Sequence, residues 1–251
     1  MLDCHSFVAS IFTALMRSNR TRRYLLRMSQ EQWTAVDQYL VENLIPADPI
    51  LDAALQSSSE AELPAINVAP NQGKLLHLLA RMQGAKRILE IGTLGGYSTI
   101  WLARALPADG QLITLEVDAK HAEVAAANLA RAGLSSQVEI RVGAALESLA
   151  ELQREGAAPF DLVFIDADKP NNANYLQWAV RLSRIGTVIL CDNVVRKGGV
   201  VDEQSDDPAI LGTRRFFAQM AADPRLDATA VQTVGSKGYD GFALAIVGES
   251  R

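Results

Sequence analysis

Cysteine and histidine are scarce in this chain. The only cysteines among its 251 residues are Cys4 and Cys191, which lie far apart and outside any metal-binding spacing. This scarcity argues against a disulfide framework and against a cysteine-held zinc site, so a reducing compartment, the cytoplasm, is the default expectation. The three histidines, His5, His77 and His121, are scattered and predict no set of metal ligands.

Positive charge and long apolar runs are also lacking. Lys and Arg number 24 against 29 Asp and Glu, a net charge of −5, so composition gives no electrostatic reason to expect a nucleic-acid partner. No apolar run approaches the roughly 20 residues of a membrane-spanning helix. The remaining composition, 49% hydrophobic and 21% charged, is typical of one folded domain of this length.

The first 27 residues differ from the rest of the chain. An apolar run, residues 7–16, precedes a basic segment, the reverse of the order in a secretory signal. Secretion is therefore not expected, and Met28 is itself a plausible start. We interpret residues 1–27 as an extension, either a mis-assigned start or a helix that packs on a partner, and residues 28–251 as a single domain that begins with helices.

Periodicity predicts the order of secondary structure. A helical pattern runs from Gln30 to about Leu55, residues 57–64 read as a loop, and residues 71–82 form another helical pattern. From Arg87 onward five strand segments alternate with helices, and two last strand segments follow near the C-terminus. Such alternation predicts a doubly wound, mostly parallel α/β sheet with helices on both faces and an antiparallel pair at the end.

Ligands of such sheets bind beyond the carboxyl ends of the strands. Gly92, Gly95 and Gly96 follow the first strand, where glycine permits a tight turn and a close backbone approach. Their spacing is not that of the dinucleotide fingerprint, and a plain glycine-rich turn is the alternative. Glu116 ends the second strand and is placed to accept hydrogen bonds from a ribose, unless it is a solvated surface acid. Together, the glycine-rich loop and Glu116 predict an adenosine-containing ligand.

Oxygen-bearing side chains end the fourth and fifth strands. Asp166 follows an apolar run, and Asp192 and Asn193 close the next strand. Because neighbouring strand ends converge, these three side chains are expected to meet. Such hard oxygen ligands suit Mg²⁺ or Ca²⁺ better than zinc. The alternative is ordinary turn capping by Asp192 and Asn193.

Residues 88–118, 160–169 and 191–200 resemble the cation-dependent O-methyltransferases. These are the caffeoyl-CoA and catechol group of class I S-adenosylmethionine (SAM) enzymes, here in a bacterial-type form, and the resemblance extends from about Trp33 to Val247. It implies a seven-stranded Rossmann-like SAM methyltransferase domain over residues 28–251 and a homodimer. It also implies methyl transfer to a hydroxyl of a catechol-like or caffeoyl-type small molecule with vicinal hydroxyls. The implied cation is Mg²⁺, with Ca²⁺ or Mn²⁺ as alternatives.

The resemblance also implies roles for individual residues. Val68 would contact the amino-acid end of SAM, Glu116 its ribose and Ala145 its adenine. The methionine moiety would lie on the first-strand loop. The full set implied for SAM is Val68, Glu90, Gly92, Thr93, Ser98, Glu116, Ala145 and Asp166. The implied metal ligands are Asp166, Asp192 and Asn193. The implied catalytic residues are Asp166 and Lys169, with Lys169 as the general base. Asp168 belongs to the same motif without a firm role.

Methyl transfer to a phenol explains why a cation and a lysine would be needed together. A phenol with a pKa of about 10 is a poor nucleophile at neutral pH. A divalent cation chelated by two adjacent oxygens lowers that pKa, and it would also depress the pKa of Lys169 so that the lysine accepts the proton. The alternatives for Lys169 are a surface lysine or one that only neutralises Asp168.

Three other functions are compatible with parts of the pattern. An NAD(P)-dependent oxidoreductase would share the sheet and an acid that binds ribose. The spacing of the glycines does not match the dinucleotide fingerprint, however, and such an enzyme would have no role for the cluster of oxygen ligands. A methyltransferase acting on a hydroxylated tRNA base would need a basic surface to bind the phosphates. The acidic composition of this chain does not indicate such a surface. A non-catalytic SAM-binding or interaction module would have no use for the metal set and Lys169.

Overall fold

The computed structural model describes residues 19–157 and 159–249, with side chains described from Ser29 onward. Within these residues three helices precede the sheet: α1 (Asn19–Leu44), α2 (Pro49–Glu60) and α3 (Pro70–Gln83). The rest is β1 (Arg87–Ile91), α4 (Tyr97–Ala103), β2 (Gln111–Glu116), α5 (Ala119–Arg131), β3 (Val138–Val142), α6 (Ala145–Arg154), β4 (Phe160–Ile165), α7 (Asn172–Arg181), β5 (Ser183–Asp192), α8 (Pro208–Ala222), β6 (Leu226–Gly235) and β7 (Gly238–Val247). None of the described helices has the length and apolar composition needed to cross a membrane.

The helices before the sheet differ from the sequence prediction. The single helical pattern from Gln30 to Leu55 is divided, because the carboxylate of Asp48 accepts the backbone N–H groups of Ile50 and Leu51 at 3.1 Å and starts α2. The loop predicted over residues 57–64 is wrong in its first half, where Ser57 and Ser58 continue α2 with their hydroxyls bonded to the carbonyl of Ala54.

The division at residue 27 stays a prediction. Helix α1 begins at Asn19 and therefore runs through the proposed boundary without a break. Residues 1–18, which contain the apolar run, lie outside the described residues.

The seven strands form one sheet in the order β3-β2-β1-β4-β5-β7-β6. Strands β1 to β5 are parallel, and β7 runs antiparallel to both β5 and β6. This confirms the predicted fold class. The predicted loop between the last two strands is shorter than expected, because only Ser236 and Lys237 separate β6 from β7.

Strand β4 lies at the centre of the core. All six of its residues are buried, as predicted for a strand covered on both faces. Val163 and Ile165 face the layer that contains α6, α7 and α8, whereas Leu162 and Phe164 face the layer that contains α3, α4 and α5. The helices that follow the neighbouring strands β1 and β4, which are α4 and α7, thus lie on opposite faces, and this leaves a crevice at the carboxyl edge of the sheet.

A glycine in α8 fixes the segment that follows β4. A short 3₁₀ turn, Lys169–Asn171, connects Asp168 to α7 and packs on α8. A Cβ atom on Gly212 would overlap the carbonyl oxygen of Lys169 and the Cα of Pro170. The absence of a side chain at position 212 therefore lets α8 support the turn that carries Lys169.

Substitution of this glycine tests the close contact. In a free helix Gly→Ala is stabilising by about 1 kcal/mol, because glycine has the greater backbone entropy to lose. Here the overlap reverses the sign, and we expect Gly212→Ala to lower the free energy of unfolding by about 1–3 kcal/mol in urea denaturation. Ala221→Gly, on the exposed side of the same helix, reports the propensity effect alone. A stabilised Gly212→Ala variant would show that α8 and the turn are not in contact.

Candidate active site

A cavity of about 760 Å³ lies at the carboxyl ends of β1, β2 and β4. Most residues predicted for SAM line it, and they come from segments far apart in sequence. The predicted residues on its wall are Val68, Gly92, Thr93, Ser98, Glu116, Ala145, Asp166, Lys169 and Asn193. Two predicted residues are not on this wall, namely Glu90 and Asp192.

The loop after β1 touches the end of β4. Gly92 has φ +102°, and a Cβ atom there would overlap the backbone carbonyl of Asp166. The N–H of Asp166 donates to the carbonyl of Ile91 at 2.8 Å. Gly92 is therefore required by both its backbone conformation and its surroundings, and the alternative of a plain glycine-rich turn does not account for the contact.

Glu116 is held in place by backbone donors. Its Oε2 accepts the N–H groups of Thr93 at 3.2 Å and Leu94 at 2.7 Å, and its Oε1 accepts the N–H of Asp118 at 3.0 Å. The residue is 7% exposed and lines the cavity, so the solvated-acid alternative is wrong. A carboxylate can accept about four hydrogen bonds. The backbone N–H groups use three of these positions, so Glu116 can still accept a hydrogen bond from a ligand hydroxyl.

Glu90 lies beneath the cavity. The hydroxyls of Ser98, Thr99 and Thr114 donate to its carboxylate at 2.7, 2.5 and 2.8 Å, and the side chain is fully buried. Burial raises the pKa of Glu90 to about 7, the hydroxyl donors oppose this shift, and the charge of Asp166 adds to it. Glu90 therefore contacts Ser98, which does line the cavity, and sets the position of its hydroxyl.

Asp166 and Asp192 meet at the ends of neighbouring strands, as predicted. Pairing of Ile165 with Cys191 places them side by side. Asp192 is 6% exposed, and burial together with the charge of Asp166 raises its pKa to about 7. Asn193 follows with φ +57°. Among the described residues no cluster of three or more His, Cys, Asp or Glu side chains is arranged for a metal ion, so this donor set depends on the Asn193 amide.

Lys169 faces this pair of carboxylates. Its Nζ donates to Asp166 Oδ1 at 2.9 Å, and the residue is 8% exposed. Burial lowers the pKa of Lys169, but the charge of Asp166 and, more weakly, of Asp192 outweigh burial and raise it. The depressed pKa that the sequence predicts would therefore depend on a bound cation.

Neither alternative for Lys169 agrees with the structure. It is not a surface lysine, and its partner is Asp166 and not Asp168. Asp168 is instead held by the Tyr175 hydroxyl and by the side chain of Asn171 at 2.7 Å.

Sequence reasoning missed several cavity residues. Tyr175 and His121 line the cavity, and His121 Nδ1 lies 3.5 Å from Glu116 Oε1. Both residues lie in the first turn of a helix, Tyr175 in α7 and His121 in α5. Each helix follows a strand end that carries predicted ligand-binding residues, and this position could have indicated that the two side chains line the cavity. Arg196 also lines the cavity, but its position depends on a left-handed backbone conformation that no sequence pattern predicts.

A second cavity of about 270 Å³ lies on the other side of Asn193. Asp192 lines this smaller cavity, and Asn193 lines both. The three predicted metal ligands therefore stand at the boundary between the two cavities. The other walls of the smaller cavity come from α1, α3 and the β6–β7 hairpin.

Comparison with known proteins agrees with this geometry. The sequence model described as "O-methyltransferase" matches residues 44–245. A protein named catechol O-methyltransferase from Niastella koreensis is 57% identical over 88% of this chain and 100% of its own length. Another of that name, from Mycobacterium tuberculosis, is 56% identical over 84% of this chain and 94% of its length. The crystal structure of an O-methyltransferase from Bacillus cereus with S-adenosylhomocysteine (SAH) superposes with a TM-score of 0.86 at 57% identity, covering 87% of this chain and 99% of that one.

The buried Glu90 predicts a specific pH dependence. Its pKa of about 7 exceeds the ordinary value of 4.5, so the folded state keeps a proton that the unfolded state loses. This contribution to stability is complete below about pH 4.5 and is lost as the pH rises to 7. Between these limits the wild type should lose about 3 kcal/mol more free energy of unfolding than Glu90→Gln.

Chemical denaturation across this pH range measures the difference. Glu123→Gln, at an exposed position of α5, is the control and should follow the wild type. Parallel pH profiles for Glu90→Gln and wild type would contradict the assignment of a raised pKa to Glu90.

Proposed function

The chain belongs to the O-methyltransferase family and is a SAM-dependent O-methyltransferase, and from this premise we propose that it methylates a catechol-like small molecule with the help of a divalent cation. The observation that carries the proposal is the meeting of Asp166, Asp192, Asn193 and Lys169 at the boundary between two cavities.

The larger cavity is the proposed SAM site. Its volume of about 760 Å³ lies within the range of cofactor pockets. Glu116 would accept hydrogen bonds from the ribose, and Ala145, at the start of α6, would lie against the adenine. Val68, Thr93 and Ser98 line the part proposed for the methionine moiety, and Glu90 would act there through Ser98.

The donor set at the boundary fits a hard divalent cation. Two carboxylates and an amide are the oxygen ligands that Mg²⁺ accepts, with Ca²⁺ or Mn²⁺ as alternatives. Asp166 and Asp192 are adjacent acids, and among the described side chains Lys169 is the lysine that faces them, so a bound cation would improve the charge balance. When bound, the cation would lower the pKa of an acceptor hydroxyl and orient it.

Lys169 is the proposed general base. Its Nζ stands within hydrogen-bonding distance of Asp166 and on the wall that faces the donor set. A neutral Lys169 would accept the proton of the acceptor hydroxyl as the hydroxyl oxygen attacks the methyl group of SAM. The bond between that methyl group and the sulfur would break, and SAH would be the leaving group. Asp168 would hold the surrounding turn through Tyr175 and Asn171.

The smaller cavity is the proposed acceptor site. It contains Asp192 and Asn193, so an acceptor that reaches the donor set with two adjacent hydroxyls would extend its ring into this space. Leu75 and Phe242 supply apolar wall for such a ring. The names of the relatives point to the same class of acceptor, and among the described residues no feature favours a hydroxylated tRNA base.

A homodimer is the proposed assembly. Val36, Leu40 and Leu44 follow one another at four-residue steps along α1, and each is at least 38% exposed. A second copy of the chain would remove this apolar stripe from water.

Substitution of Glu116 tests the proposed SAM site. Glu116→Gln loses charge-assisted acceptance from the ribose, so we expect SAM affinity to fall by about 1.5–3 kcal/mol in isothermal titration. Glu123→Gln should bind SAM as the wild type does. An unchanged affinity in Glu116→Gln would place the ribose elsewhere.

Substitution of Asp192 tests the proposed cation. Asp192→Asn should lower turnover of catechol, followed as SAH release, by about two orders of magnitude while leaving SAM affinity within a few-fold of wild type. Wild-type turnover should stop with EDTA and return with excess Mg²⁺. Asp109→Asn, at the opposite edge of the sheet, is the control. Full turnover in EDTA would refute cation-dependent catalysis.

A further inference from the structure

Two lysines line the smaller cavity. Lys197 comes from the segment after β5, and Lys237 comes from the β6–β7 turn. The same wall contains two acids, Asp37 and Asp240. Which of these charges is available to a ligand decides what the cavity can bind.

Backbone donors occupy both acids. Asp240 accepts the N–H groups of Val195 at 2.9 Å and Arg196 at 3.0 Å. Asp37 accepts the N–H of Ser236 at 2.6 Å and the side-chain amide of Asn71 at 2.9 Å. Both carboxylates are therefore committed to holding the protein's own turns.

The lysines are less engaged. Lys237 donates to the carbonyl of Ala65 at 3.1 Å, a neutral acceptor. Among the residues that the structure describes, Lys197 has no hydrogen bond or ion pair. The charged groups on this wall that can donate hydrogen bonds to an anionic ligand are therefore the two ammonium groups.

The backbone that presents Lys197 is unusual. Arg196, Lys197 and Gly198 have successive φ values of +55°, +56° and +86°. Left-handed conformations of two adjacent long side chains are unfavourable, and they persist only where surrounding contacts impose them. Asp240 imposes them here through its two backbone hydrogen bonds.

The turn that presents Lys237 is fixed in a similar way. A Cβ atom on Gly235 would overlap the carboxylate of Asp37, so the hairpin packs directly on α1. Gln30 adds a hydrogen bond to the carbonyl of Gly235 at 2.9 Å. Each lysine thus stands on a turn that an aspartate of the same cavity holds.

We infer that the smaller cavity selects catechol acceptors that carry a carboxylate on the side of the ring opposite the reacting hydroxyls, and that Lys197, assisted by Lys237, recognises it. The inference rests on the proposed function, because it takes the hydroxyls to lie at Asp192 and Asn193. The carboxylate would then meet Lys197 elsewhere on the wall of the same cavity. Lys197 is a specificity residue and takes no part in the chemistry.

A matched pair of acceptors tests the inference. Protocatechuate carries a ring carboxylate, and its carboxamide has the same size and the same hydroxyls without the charge. We expect Lys197→Gln to lower the ratio of kcat/KM for the acid over that for the amide by about tenfold, through the KM of the acid. Lys197→Arg should retain most of the ratio, and Lys197→Glu should lower it further.

Lys86→Gln is the matched control, because Lys86 lies before β1 at the far edge of the sheet. Its ratio should equal that of the wild type. An unchanged ratio in Lys197→Gln and Lys197→Glu, with both acceptors turned over, would overturn the charge selection alone. If the wild type turned over neither acceptor, this result would instead overturn the proposed function, and the inference with it.

Discussion

The pairing of β1 with β4 is the constraint on which the site depends. The strand order reverses between these two strands, and the helices that follow them, α4 and α7, pack on opposite faces of the sheet. The crevice that results is closed at its base by the contact of Gly92 with Asp166. Any side chain at position 92 would separate the loop proposed for SAM from the strand end that carries the proposed cation ligand.

The carboxylates of the site fall into two kinds. Glu116, Asp37 and Asp240 accept backbone N–H groups and fix loops in place. Asp166 and Asp192 face each other with Lys169 as their nearby cation, and burial and mutual charge raise the pKa of Asp192. The first kind builds the walls, whereas the second kind faces the proposed cation site, although Asp192 also accepts the N–H of Asn193 at 2.8 Å.

Much of the fold and part of the site could be predicted from the sequence. The alternation of strand and helix patterns from Arg87 onward predicted the parallel sheet. The largely apolar β4 segment also predicted a strand that is buried on both faces. Asp118 starts α5 and Gly133, with φ +70°, follows its end, as local capping rules predict. The strand-end rule predicted that Asp166, Asp192 and Asn193 meet.

The remainder depends on long-range contacts that one sequence does not encode in any local pattern. The break between α1 and α2 was not predicted, because the apolar periodicity continues across the Asp48 cap. The position of Lys197 depends on Asp240, more than forty residues away, and on backbone conformations that non-glycine residues rarely adopt. The shielding of Glu90 from the cavity depends on three hydroxyls from two other elements.

The most direct test of the account is a crystal structure with SAH, Mn²⁺ and a catechol, with data collected for anomalous scattering from manganese. We expect one strong anomalous peak among Asp166, Asp192 and Asn193, with both catechol oxygens bound to the manganese ion at this peak and the ring in the smaller cavity. A catechol seated beside the sulfur of SAH without a peak at these three residues would contradict it.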